Sequence, residues 1–407
     1  RSRSRSTTLA MMDAAAPEES SSSEASGELS PQLSTQLDRD LLRGVPLHVA
    51  LGGWGKHWET PDSGMFNVDP GHYQLSRSVN SFSAFLSHDW ASSRWLKLFS
   101  LLIIFNSGPA FGATLVASVI IGVLRGYGVL ADELWTAAFG HATFFLVFLF
   151  WQQLRALAFR PKMIFLDKLC VAQHDEELKQ KGVLGIPAFL LAAERLVVLL
   201  SPKYFGRLWC TFEIATFMKD PASRERILLM PLKTALLLLH LAGIWLILVI
   251  GNRVIRALQL EGNTQTVGAI VVGLNSIFWV VCLPVVFFFG MDLVDELQAL
   301  PEQLRGFRVQ DAVCFCCTNG HTHPKTGKPL QCDRQLVYKM LQRWYGKDGG
   351  ATEAHSLDSF NRLVRQHLAA RMAKDLGGIA LPFRYVVYMV LSSNLPYLSA
   401  VIAGWMA

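Results

Sequence analysis

Leu196-Val197-Val198-Leu199-Leu200-Ser201-Pro202 is a wholly apolar run stopped by a Ser-Pro pair. Branched aliphatic residues with no polar alternation suit a strand covered on both faces, as in a parallel sheet. Residues 185–195 before it and 206–219 after it read as helices. Lys162-Met163-Ile164-Phe165-Leu166-Asp167 predicts a second strand ending in Asp, and residues 226–232 a fourth, with 196–200 the third in chain order. Upstream, Ser81-Phe82-Ser83-Ala84-Phe85-Leu86-Ser87-His88-Asp89-Trp90 alternates and then meets a polar turn, which predicts a first strand. Downstream, 294–304 reads as a helix, 307–317 as a fifth strand and 334–345 as a closing helix. Strands that alternate with helices predict a parallel α/β sheet.

These pieces are separated by segments of another kind. Between Lys97 and Arg125 lie 27 residues without Asp, Glu, Lys or Arg. Four more uncharged runs follow, at 134–154, 234–252, 262–291 and 385–407. A helix of about 20 residues crosses the hydrocarbon core, so about five transmembrane helices are expected. The first has a break at Asn106-Ser107-Gly108-Pro109, where a tilt or kink at Pro109 is expected. His141, inside the second, reads as packed against another span, with a proton relay as the sharper alternative. Loops of nine residues, 125–133 and 253–261, join the first two runs and the next two into hairpins. Lys and Arg concentrate outside those loops, so the N-terminus and segments 155–233 and 292–384 should face the cytosol. The resulting organisation is a low-complexity tail at 1–45, cytosolic 46–97, a hairpin at 98–154, cytosolic 155–233, a second hairpin at 234–291, cytosolic 292–384, and a final helix at 385–407. The α/β sheet is then one cytosolic domain assembled from three pieces and interrupted by membrane hairpins.

Whole-chain composition agrees. Hydrophobic residues make up 51% of 407 and charged residues 17%, where soluble domains carry about 25% charged. Mean hydropathy is +0.29. The net charge of +6 is modest and points to no nucleic-acid partner. Seven cysteines exclude a disulfide-built scaffold. The tail, with Arg1-Ser2-Arg3-Ser4-Arg5-Ser6 and a Ser/Glu stretch at 18–26, buries too little to order itself. Residues 9–16 contain Asp13 and no apolar core of signal-peptide length. A start at Arg1 and an end inside an apolar run read as a piece of a longer protein.

Four ordered motifs resemble those of the TIR (Toll/interleukin-1 receptor) domain. They are Ala84-Phe85-Leu86-Ser87-His88, Phe165-Leu166-Asp167, Leu199-Leu200-Ser201-Pro202-Lys203-Tyr204 and Leu208-Trp209-Cys210-Thr211-Phe212-Glu213-Ile214. The block from Asp167 to Gln173 is similar to one in TIR-like proteins of single-celled eukaryotes, here in a polytopic membrane form. The resemblance implies a flavodoxin-like (TIR-like) parallel sheet and partners that are other TIR-like domains, of this chain or another, beside a lipid bilayer. It also implies signalling or scaffolding by self-association, or cleavage of NAD at the nicotinamide–ribose bond. In the enzymes the Glu of Trp-x-x-x-Glu is catalytic, which maps to Glu213, with Ser87, His88 and Trp209 as candidate substrate-binding residues. Glycosidic cleavage passes through an oxocarbenium-like state that a carboxylate can stabilise. Two features depart from the family: a long polar loop at 167–182 and the two interruptions. A transporter or channel with a regulatory cytosolic domain is the rival from another class.

Cys314-Phe315-Cys316-Cys317-Thr318-Asn319-Gly320-His321-Thr322-His323, with Cys332, offers thiols and imidazoles for a tetrahedral zinc site. Cys316, Cys317, His321, His323 and Cys332 are the candidate ligands, in no standard finger spacing. A buried strand followed by a polar loop, or S-palmitoylation, are the alternatives. The stretch from Gly320 to Lys328 has the wrong spacing for a phosphate loop. Gly52-Gly53-Trp54-Gly55 reads as a turn. Residues 356–374 predict an amphipathic helix that rests on an anionic leaflet or packs on the α/β domain.

Overall fold

The computed structural model describes residues 37–59, 69–130, 134–218, 220–257, 264–322, 327, 329–330, 332–345, 352–370 and 383–406. Its centre is a six-stranded, mostly parallel sheet. The strands are β1 (Arg43–Pro46), β2 (Arg77–Ser78), β3 (Ala84–His88), β4 (Met163–Phe165), β5 (Leu196–Leu200) and β6 (Ile227–Pro231), in the order β2-β1-β4-β3-β5-β6. Strands β4, β3, β5 and β6 run parallel, with Phe85 opposite Phe165 and Leu196, and Leu196 opposite Ile227. Every residue of β3 and β5 is buried, as two covered faces require. Phe85, Phe165 and Phe189 stack on one side at ring separations of 4.4 Å. Pro231 ends β6 on the sheet edge, where its missing N–H breaks no ladder.

β1 and β2 form an antiparallel edge, with Val45 opposite Ile164 and Arg43 opposite Ser78. This corrects the expected tail at 1–45. Leu37 and Leu42 pack against the core, and Val45 is fully buried against β4. Residues 1–36 lie outside the described residues.

The fifth strand expected at 307–317 is absent. The segment holds a 3-10 turn, Val309–Asp311, and a short helix, Phe315–Thr318, with one bridge between Val313 and Arg207. Its backbone groups are claimed by side chains instead. Asn361 Oδ1 accepts from Val309 N–H at 2.9 Å, and Arg334 donates to the carbonyls of Gln310 and Ala312. A strand needs those groups for its ladder.

Among the described residues there are seven longer helices: α1 (Arg94–Gly126), α2 (Leu134–Ala158), α3 (Leu208–Met218), α4 (Leu232–Ala257), α5 (Thr264–Arg305), α6 (Asp333–Tyr345) and α7 (Glu353–Leu363). Among the described residues, three helices are long and apolar enough to cross a membrane: α1, the 232–251 part of α4 and the 268–305 part of α5. The final apolar run is a pair of helical segments, Phe383–Ser393 and Leu395–Met406, bent by 49°. Asn394-Leu395-Pro396 interrupts it, since Pro396 has no N–H to continue the ladder. The count is therefore three, or four with the bent pair, where the sequence predicts about five. The run at 134–154 does form a helix, α2, packed along α1.

α1 continues through Pro109 without ending. Asn106 donates to the Phe148 carbonyl at 2.8 Å and accepts from Gln152 at 2.7 Å, which joins α1 to α2. His141 lies against the C-terminal pair, 3.2 Å from the Ser393 carbonyl, as the packing reading expects. The helix expected at 294–304 is the end of α5. Asp292 and Glu296 change its polarity, not its backbone, and both pair with Lys233 of α4.

The amphipathic segment packs on the α/β unit. Leu357, Phe360 and Val364 are buried, Phe360 meets the Phe307 ring at 5.9 Å, and Arg365 donates to the Phe307 carbonyl. Residues 371–374, which complete the predicted helix, lie outside the described residues. The turn expected at 52–55 is present, with Gly53, Trp54 and Gly55 all at positive φ.

Candidate functional site

Parallel strands put their C-terminal ends on one edge. From β3 the chain crosses to β4 on one side of it and then to β5 on the other, so loops diverge between β3 and β5. In open α/β sheets this is where a crevice opens. Ser87 and His88 finish β3 there, Asp89 follows them, Asp167 follows β4, and Ser201 and Tyr204 follow β5.

α3 brings Glu213 to the same edge. Its apolar side, with Phe212 and Ala215 fully buried, sets the helix on the sheet. Ser87 Oγ donates to Glu213 Oε2 and is also bonded to the Tyr204 hydroxyl. Burial pushes the Glu213 carboxyl up to about 8, assisted by the charge of Asp167 and opposed by the Ser87 hydrogen bond. Glu213 is thus largely protonated at neutral pH. Burial likewise holds the Tyr204 hydroxyl and the Cys210 thiol well above their ordinary ranges. Tyr204 and Cys210 are inert groups here, as buried neutral donors.

His88 is wedged between Trp58 and Trp90, with ring centroids 5.0 and 4.3 Å away, both edge-on. Its Nδ1 is buried without a hydrogen-bond partner. Burial first, and the charge of Lys97 second, keep the imidazole well below its usual pKa and hence neutral. Asp167 accepts from Trp90 Nε1 at 2.8 Å and from the Lys168 N–H at 2.7 Å, while burial raises its pKa. Asp89 is paired with Arg207 Nε at 3.2 Å. Trp209 is turned away from this cluster: its indole N–H donates to Asp333 Oδ2 of α6 at 3.3 Å.

So Ser87 and Glu213 come together, whereas the His88 side chain packs between Trp58 and Trp90 and Trp209 faces α6. Tyr204 joins them through its bond to Ser87, and Asp167 through its charge on Glu213, though neither is a site candidate in the sequence. The signal for them is position: Asp167 ends one predicted strand and Tyr204 lies four residues past another, on the edge where such sheets gather polar groups.

The second cluster is built on the short helix Phe315–Thr318 and the residue before α6. One ligand atom each from Cys316, Cys317, His321 and Cys332 lie within 4.8 Å of one another. Cys317 Sγ is 3.9 Å from Cys316 Sγ, 3.8 Å from Cys332 Sγ and 3.6 Å from His321 Nε2. His323 lies outside the described residues. No protein-family model, curated protein or solved structure matches this chain.

Proposed function

We propose that the chain is an integral membrane protein whose α/β unit is a TIR-like signalling or scaffolding domain that acts by self-association. Numbered from β3 onward, the order β4-β3-β5-β6 becomes 2-1-3-4, the first four places of the flavodoxin-like order. The antiparallel β1–β2 edge is an addition to that pattern. The membrane assignment is supported by α5, where Val280 is 72% and Phe288 70% exposed along an apolar helix that needs lipid cover. Cationic residues flanking the apolar segments favour a cytosolic sheet.

The observation that carries scaffolding over catalysis is how the candidate residues are used. Ser87, Tyr204 and Glu213 form one bonded group, and Trp209 is bonded to Asp333. Side chains with partners inside the fold hold structure before they hold substrate. The test is the mass of the full chain in nanodiscs or detergent over a concentration series. Dimers or larger assemblies are expected; a monomer at every concentration overturns the reading.

NAD glycohydrolysis is the second reading, and it draws on the position of Glu213 at the β3–β5 crevice with a strongly shifted carboxyl, a pattern common in active sites. A bound nicotinamide cation would favour the ionised form and so lower that pKa. Glu213 would then face the developing oxocarbenium, with Ser87 orienting it. Nicotinamide release from NAD by the wild type, lost in Glu213→Gln, supports this reading. Absence of release removes it and leaves self-association standing.

A further inference from the structure

We propose that Cys316, Cys317, His321 and Cys332 bind one zinc ion that locks α6 onto α3, a role independent of either reading of the sheet. A zinc ion at about 2.3 Å from sulfur and 2.0–2.1 Å from imidazole nitrogen sets tetrahedral edges of about 3.8 Å for S–S and about 3.6 Å for S–N. The three distances from Cys317, to two sulfurs and one nitrogen, match those edges. Four side chains converge without a covalent link, and all these cysteines are free. Four protein ligands close the shell, which makes the site structural rather than catalytic.

The surroundings suit a thiolate centre. Cys316 Sγ accepts from the Asp333 backbone N–H at 3.3 Å and lies 3.0 Å from the buried Cys314 Sγ. That S–S approach is too short for two ligands of one zinc. Cys314 is therefore a neighbour whose S–H donates to the Cys316 thiolate, an outer-shell support of the kind that orients metal ligands. Gly320 and His321 both take left-handed backbone, φ 59° and 57°. A non-glycine residue held there is strained, because its Cβ crowds the following carbonyl oxygen. The turn folds the imidazole back over Cys317, and ligation supplies a reason for it.

The consequence reaches the other cluster. Cys332 immediately precedes α6, whose Asp333 accepts from Trp209 and whose Tyr345 hydroxyl donates to the Ala215 carbonyl at 2.9 Å. Trp209 and Ala215 belong to α3, the helix that carries Glu213. Zinc at Cys332 would anchor both bonds at their root.

The test is elemental analysis of the full chain purified in detergent without chelator, with Cys332→Ser, Cys317→Ser and Cys314→Ser beside it. One zinc per chain is expected in the wild type and in Cys314→Ser, with loss in the other two. Should those two fail to fold, the wild type exchanged with Co2+ still decides. Thiolate-to-cobalt charge-transfer absorption with tetrahedral d–d bands supports the site; an octahedral cobalt spectrum overturns it. Wild type without zinc that takes up none on addition, a Cys317–Cys332 disulfide in its place, or zinc that survives Cys332→Ser each overturn it.

Discussion

Ser87 on β3 and Glu213 on α3 share a hydrogen bond across 126 positions of sequence. The first apolar hairpin, α1 and α2, lies wholly within that interval. The sheet therefore closes around an excursion of two long helices, and the Ser87–Glu213 bond holds the two sides of the excursion together at the strand ends.

That bond has a pH signature. The folded carboxyl of Glu213 is raised to about 8, above its unfolded value. A group raised on folding binds its proton more tightly in the native state, so its contribution is fully present below the unfolded pKa, about 4.3, and is lost as pH rises through about 8. The wild-type melting temperature should fall between pH 5 and 9 more steeply than that of Glu213→Gln, whose amide stays neutral. Parallel slopes in the two proteins would mean that Glu213 titrates normally.

Asn361 carries the turn that replaces a strand. It is fully buried, accepts from Val309 N–H and donates to Gln310 Oε1 at 2.9 Å. Asn361→Leu leaves a buried N–H unpaired and should destabilise by about 1–3 kcal/mol. Denaturant unfolding measures it.

Two glycines on α1 should respond oppositely. A Cβ on Gly122 would lie 2.9 Å from Ile402 and 3.0 Å from the Ser399 backbone, whereas one on Gly112 meets nothing within 4 Å. Gly122→Ala should push the C-terminal helix off α1 and cost about 1–3 kcal/mol. Gly112→Ala should be neutral or slightly stabilising, since alanine favours helix by about 1 kcal/mol. Thermal stability in detergent separates the pair.

Lys233 of α4 meets Asp292 at 2.6 Å and the buried Glu296 at 3.4 Å on α5. Lys233→Met leaves the Glu296 carboxylate buried without its cation, which is expected to be destabilising. Adding Glu296→Gln should recover most of the loss. Failure of that double variant to recover would show that the loss does not come from the orphaned Glu296 carboxylate.

The residue pattern alone determined the long apolar helices, the four parallel strands and the helix carrying Glu213, because those depend on local period and on charge-free length. Leu196–Leu200 has no polar residue to offer solvent, and α1 has no charge from Leu98 to Leu124. Tertiary structure decided the rest. Val45 becomes a strand residue only when β4 is beside it, and residues 307–317 lose their ladder only because Asn361 and Arg334 arrive from distant segments. The partners of Glu213 and the approach of Cys332 to Cys317 likewise depend on contacts that the order of residues does not spell out. Hydrogen bonds and metal ligation act over a few ångströms in space, and spacing along the chain carries no record of which distant groups will meet.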